Sequence, residues 1–153
     1  MLEISEFAPD FTLPRDGGGE ITLTALRGAP VVLFFYPRDN TPGCTTEAMA
    51  FTSLLADFAS IGTQVFGVSR DSIASHDKFR DKHSLRTPLL SDADSDMCEI
   101  YGVWKEKRMY GKKFMGIERT TVLIDAEGRI ARIWPRVKVP GHAEEVLASA
   151  KAL

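Results

Sequence analysis

The stretch Ala29–Phe51, "APVVLFFYPRDNTPGCTTEAMAF", decides how the chain is read. Its first half is an unbroken apolar run between two prolines. That pattern suits a short strand buried on both faces. From about Cys44 to Ile61 the pattern turns helical. Ala48, Phe51, Leu55 and Phe58 recur at three- and four-residue steps, with Leu54 alongside, and Gly62 stands where a helix should end. A second apolar segment follows, "QVFGVS" (Gln64–Ser69). Strand, helix and strand at this spacing predict a right-handed parallel βαβ unit.

Working outward, "FTLP" and "EITL" read as two short extended pieces joined by the turn "RDGGGE" (Arg15–Glu20). Beyond the βαβ unit, "DSIASHDKFRDKHSL" reads as a helix capped by Asp71 or Ser72. "PLLS" is a short strand, and "DSDMCEIYGVW" holds a short helix stopped by Gly102. "TTVLID" and "RIARIW" flank "AEG", where Gly128 can take positive φ, so an antiparallel hairpin is expected. A last helix runs from about His142 to Leu153. The order predicts one α/β domain over residues 1–153, with a mixed central sheet flanked by helices.

Composition narrows the classes of function. The chain has 153 residues, 44% apolar and 26% charged, with net charge −2. No basic block exceeds pairs such as Lys112-Lys113, so neither nucleic acid nor an anionic membrane is an expected partner. The start, "MLEISEFAPDF", lacks the basic and apolar regions of a secretory signal. The run "VVLFFY" is far too short to cross a bilayer. A cytoplasmic protein is expected. Two cysteines cannot build a disulfide framework.

One of those cysteines, Cys44, falls in the first turn of the predicted helix, after Pro42 and Gly43. Unpaired N–H groups and the helix dipole favour an anion there, hence a thiolate. Cys44 shares a helical side with Ala48 and Phe51, so its sulfur should face a sheltered pocket. Thr41 carries a hydroxyl that can point at the sulfur or at a substrate. The plain alternative is a buried structural thiol. Other cysteine chemistries fit less well. A C-x-x-C pair would need cysteine where Glu47 stands. A phosphatase loop would need arginine where Ala50 stands. A hydrolase would need a base, and His76, His83 and His142 lie in polar stretches that read as helix surfaces. No zinc-ligand spacing is present, and no metal or other cofactor is expected.

"FYPRDNTPGCTTEA" resembles the active-site signature of the peroxiredoxins, in particular the bacterioferritin comigratory protein/peroxiredoxin Q branch. "APDFTL", "VVLFFYP", "GVSRDS", "SHDKF", "LLSD", "YGVW" and "GIERTTVLID" stand in that family's register along nearly the whole chain. The resemblance implies a thioredoxin-like fold and reduction of hydrogen peroxide and organic hydroperoxides, with thioredoxin or another thiol as reductant. It implies that Cys44 is the peroxidatic cysteine, which cycles through a sulfenic acid. Thr41 would orient the peroxide, Pro42 shield the sulfur, and Arg119 join the site from a distant strand. Gly43 and Glu47 would support them. Taken alone, Arg119 reads as a surface cation beside Glu118, and Glu47 could either pair with Arg119 or simply favour the helix start.

The chain departs from the branch in one respect. Many members carry a resolving cysteine five residues after the first, and that position is Met49 here. Others carry it in the next long helix, which here has Phe79 and Arg80. Cys98 is the remaining thiol. It reads either as a buried residue of a short helix or as a resolving cysteine. The latter would bridge Cα atoms within about 7 Å only after local unwinding. Other readings are a non-turnover redox-sensing module and a cysteine hydrolase. The state of assembly, monomer or homodimer, is open, with "YGVW" and "MYGKKFMG" apolar enough for a modest interface.

Overall fold

The computed structural model describes residues 2–153. The expected strand is β3 (Val31–Phe35), following a small antiparallel pair, β1 (Thr12–Pro14) and β2 (Glu20–Thr22). All five residues of β3 are buried, as an apolar run without alternation requires. It pairs in parallel with β4 (Gln64–Ser69), and β4 with β5 (Leu89–Ser91). On its other side β3 pairs antiparallel with β8 (Thr120–Ile124), which turns through Gly128, at φ +93°, into β9 (Ile130–Trp134). The sheet is therefore mixed, in the order β5-β4-β3-β8-β9.

Alternate residues of β3 serve two separate cores. Val31, Leu33 and Phe35 join Tyr101, Val103 and Ile117 on one face. Val32, Phe34 and Tyr36 face the helices on the other, packing with Phe51, Phe58, Phe79 and Val146. Phe34 stacks on Phe51 with ring centroids 4.6 Å apart. Gly67 of β4 makes room for that ring: a Cβ there would lie 2.7 Å from Phe34 Cζ.

The helix expected from Cys44 to Ile61 is two helices. α1 spans Pro42–Ser53 and α2 spans Leu55–Ser60. The Ser53 hydroxyl donates to the Ala50 carbonyl (3.0 Å), which the Leu54 N–H also uses at 3.3 Å while sharing itself with the Phe51 carbonyl. That competition loosens the ladder at Leu54, whose ψ opens to 3°. Helix α3 (Ile73–His83) is capped by Ser72, which accepts from the Ser75 N–H. Asp71, the other expected cap, is bound elsewhere. Helices α4 (Met97–Ile100) and α5 (His142–Lys151) stand where expected.

The sequence reading missed a short 3-10 helix at Leu23–Leu26 and a hairpin of β6 (Trp104–Met109) and β7 (Lys112–Ile117). The hairpin's strands are largely exposed and carry lysines without an apolar alternation. Its two-residue turn puts Tyr110 and Gly111 at φ +52° and +76°. Asparagine usually marks the first of those positions, and tyrosine there hides the signal.

Candidate active site

The site forms where β3 ends and β8 begins. These strands are antiparallel neighbours, with Phe35 opposite Thr120. The chain leaving β3 turns into α1, so the start of α1 lies beside the residue preceding β8, Arg119. The sheet thus brings together residues 75 positions apart in sequence.

Thr41 is the N-cap of α1, in extended conformation, and Pro42 and Gly43 are its first two helical residues. Pro42 has no N–H. Those of Gly43 and Cys44 precede the first intrahelical bond, which the Thr45 N–H makes to the Thr41 carbonyl at 2.9 Å. Cys44 is a free thiol, 2% exposed. Arg119 Nη2 lies 3.3 Å from its Sγ, and Nη1 of the same guanidinium donates to Glu47 Oε1 at 2.8 Å. Arg119 is thus turned inward, its side chain 17% exposed, rather than lying on the surface beside Glu118. A Cβ at Gly43 would sit 3.2 Å from Arg119 Nη2, so the absence of a side chain there permits the close approach of the cation. Thr41 makes no side-chain capping bond to α1. Its hydroxyl donates to the Arg38 carbonyl at 2.9 Å.

Glu47 is 1% exposed, one turn along from Cys44, and its Oε2 has no hydrogen-bond partner. Burial pushes its pKa up to about 7, while the charge and hydrogen bond of Arg119 pull it down part of the way. Because the folded value lies above the unfolded one, folding favours the protonated acid. Stability is therefore lost as pH rises from about 4.5 to about 7. Glu47→Gln removes that dependence. Its unfolding curves should match the parent near pH 4 and show a gain on the order of 1–3 kcal/mol at pH 8. Denaturant titration at the two pH values checks this.

The remaining candidates lie apart from the site or in unexpected surroundings. Cys98 is fully buried in the core that holds Val31, Leu33 and Phe35, whereas Cys44 packs with Val32, Phe34 and Tyr36. The two thiols are on opposite faces of the sheet. Burial, and then the adjacent Asp92 carboxylate, push the Cys98 pKa far up. Met49, at the position of the missing cysteine, is 48% exposed. The expectation that the histidines lie on helix surfaces is wrong for two of them. His76 is 0% exposed and hydrogen-bonded to Asp39 and to the Leu90 carbonyl. His142 is buried with its Nε2 2.8 Å from Thr121 Oγ1, and burial lowers its pKa. Each lies on an amphipathic helix whose polar flanks mask a ring turned inward. His83 is half-buried beside Asn40.

A cysteine at a helix start, on a mixed sheet flanked by helices and under an arginine from the adjoining strand, defines a thiol enzyme of thioredoxin-like fold. The profile of the AhpC/TSA family matches residues 4–133. Peroxiredoxin Bcp of Xanthomonas campestris is 47% identical over 152 residues, covering 99% of this chain and 95% of that protein. Peroxiredoxin Bcp of Bacillus subtilis is 45% identical over 98% of this chain and 96% of its own. Among solved structures, the Xanthomonas campestris bacterioferritin comigratory protein, studied for its alkyl peroxide reduction activity, superposes with a TM-score of 0.90 at 46% identity, covering 99% and 97% of the two chains. A Cys-to-Ser variant of Xylella fastidiosa PrxQ superposes with a TM-score of 0.94 at 44% identity and the same coverage. The chain belongs to the AhpC/TSA family, within its Bcp/PrxQ peroxiredoxins, and is a thiol-dependent peroxidase. That membership favours turnover over the non-turnover sensing module. Among the described residues, no helix is long and apolar enough to cross a membrane.

Proposed function

We propose that residues 1–153 act as one domain that reduces hydrogen peroxide and organic hydroperoxides at Cys44, and that an external thiol, not Cys98, restores the enzyme. The observation that carries the peroxidase assignment is the sheltered Cys44 sulfur at the start of α1 with the Arg119 guanidinium 3.3 Å away. The thiolate attacks one peroxide oxygen. An S–O bond forms as the O–O bond breaks, and the electron pair leaves on the departing oxygen, which takes up a proton as alcohol or water. Sulfur loses two electrons and becomes sulfenic acid. A thiol then condenses with it, releasing water, and a second thiol cleaves the mixed disulfide.

The site residues divide this task. Arg119 lies against the sulfur and stabilises negative charge on the departing oxygen. The Gly43 and Cys44 N–H groups add donors at the same place. The Thr41 proton is committed to the Arg38 carbonyl, so its oxygen is left to accept the hydrogen of the peroxide. Pro42 covers the sulfur at the mouth of the site. Glu47 holds the guanidinium.

Resolution by an external thiol rests on the position and chemistry of Cys98. It would have to cross the sheet to reach Cys44, and its protonated thiol is a poor nucleophile. Thioredoxin or another dithiol protein of the reducing cytoplasm supplies the electrons. The chain works as a monomer or, through its exposed Met109, Tyr110 and Phe114, as a homodimer. Cys98→Ala should keep peroxide turnover within twofold of the parent in a coupled thioredoxin or small-thiol assay. It should lower stability by about 1 kcal/mol through the lost packing. Loss of turnover with normal formation of the Cys44 sulfenic acid would show that Cys98 resolves it.

A further inference from the structure

The turn from β3 to α1 is held from behind by a buried polar cluster that the peroxidase chemistry does not use. Asp39, 7% exposed, accepts three hydrogen bonds through its carboxylate. Tyr36 Oη donates to Oδ1 at 2.6 Å, and Ser75 Oγ to Oδ2 at 2.8 Å. His76 Nδ1 lies 2.7 Å from the same Oδ2. The Asp39 N–H donates to Asp71 Oδ2 at 2.9 Å, an oxygen that also accepts from Ser69 Oγ at 2.6 Å.

The other ring nitrogen of His76, Nε2, lies 2.9 Å from the Leu90 carbonyl. Both nitrogens therefore face oxygens that can only accept. A neutral imidazole has a single N–H and would set a lone pair against one of them. Only the imidazolium satisfies both. Burial opposes that charge, but the hydrogen bond and charge of Asp39, with help from the Leu90 carbonyl and Asp71, outweigh it and raise the pKa. The titratable groups around the ring are Tyr36 and Asp39 from the end of β3 and Asp71 from the turn after β4. β5 contributes the carbonyl. The site is closed by these donors rather than open to a cation, although Asp39, Asp71 and His76 lie close together.

His76 does not act alone. Phe79 packs against Tyr36 with centroids 6.2 Å apart, and His83 Nε2 lies 3.1 Å from Asn40 Oδ1. These residues recur along one side of α3 at steps of three and four. They hold positions 36, 39 and 40, immediately before Thr41. Asn40 itself sits in the left-handed region at φ +63°, which asparagine adopts readily and which turns the chain into Thr41.

We propose that His76 is a positioning residue for the peroxide reaction: as an imidazolium locked to Asp39, it holds the 37–41 turn so that Thr41 and the first turn of α1 meet the peroxide together. This rests on Cys44 being the peroxidatic residue. The clamp is present while His76 is charged and is released as pH rises through its raised folded pKa.

The test compares two reactions of Cys44 in the parent and in His76→Gln. Alkylation by iodoacetamide needs the thiolate alone, whereas reaction with peroxide needs the aligned turn as well. His76→Gln should slow the peroxide reaction about tenfold or more, since small misplacements at a reacting centre cost up to about 10²-fold. Alkylation should stay within threefold. The parent should also lose peroxide rate at alkaline pH along a limb that the variant lacks. Equal loss of both reactions, or loss of neither, overturns the proposal. Ring-nitrogen NMR of the parent decides independently of how the variant folds. Two protonated nitrogens on His76 at pH 7 are expected, and a neutral ring overturns the proposal. A parent Cys44 that does not react with peroxide would instead remove the underlying assignment.

Discussion

Cys44→Ser brings peroxide consumption down to the uncatalysed rate, a loss of roughly 10⁴-fold or more for removal of a nucleophile. The substitution changes one atom in a site that is 2% exposed, so packing against Ala48 and Phe51 is kept and the fold should persist. What changes is the chemistry. A serine hydroxyl stays protonated at neutral pH even beside a guanidinium 3.3 Å away. Oxygen is also a much weaker nucleophile than sulfur toward the O–O bond. A stopped-flow or coupled peroxide assay, with circular dichroism to verify folding, reads the result. Retention of substantial activity would place the reacting thiol elsewhere.

Arg119→Ala should lower kcat/KM for peroxide by about 10²–10³-fold, the range for losing a preorganised donor at a charge-developing oxygen. The guanidinium spans two partners, Glu47 Oε1 at 2.8 Å and Cys44 Sγ at 3.3 Å. Its removal takes away the cation beside the sulfur and the donor that meets the departing oxygen. It also strands Glu47, whose Oε2 already lacks a partner, in the core. Burial is the main influence on that acid, so it should then hold its proton beyond pH 7. Arg119→Lys should recover little, because one ammonium cannot serve two partners in a planar fork. The pair Arg119→Ala and Glu47→Gln should be non-additive in stability, Glu47→Gln gaining more at pH 8 in the Arg119→Ala background than in the parent. Equal gains in the two backgrounds would mean that the two side chains act independently.

The parts of this site written in local sequence were legible. The apolar run of β3, the Pro-Gly start of α1 and the placement of Cys44 follow from periodicity and capping. The inward turn of Arg119 does not. It depends on β8 lying antiparallel to β3, which no local pattern around "IERTT" announces, and only the family resemblance pointed to it. The break at Leu54 depends on a serine hydroxyl competing for one carbonyl. The β6–β7 hairpin lacks alternation because little covers it. His76 and His142 were misplaced for a related reason. Among charged neighbours, a histidine that turns inward is indistinguishable from one that turns outward until the packing of the helix is known. The opposite placement of Cys44 and Cys98 likewise emerges only from the register of β3, whose alternate residues feed different cores.

The most direct measurement is peptide mass spectrometry of the reduced protein after one equivalent of peroxide, with a sulfenic-acid trap present. The trap should be found on Cys44 alone, with Cys98 free and no disulfide within the chain. A Cys44–Cys98 disulfide, or oxidation of Cys98 with Cys44 untouched, would contradict a sheltered peroxidatic thiol restored by an external partner.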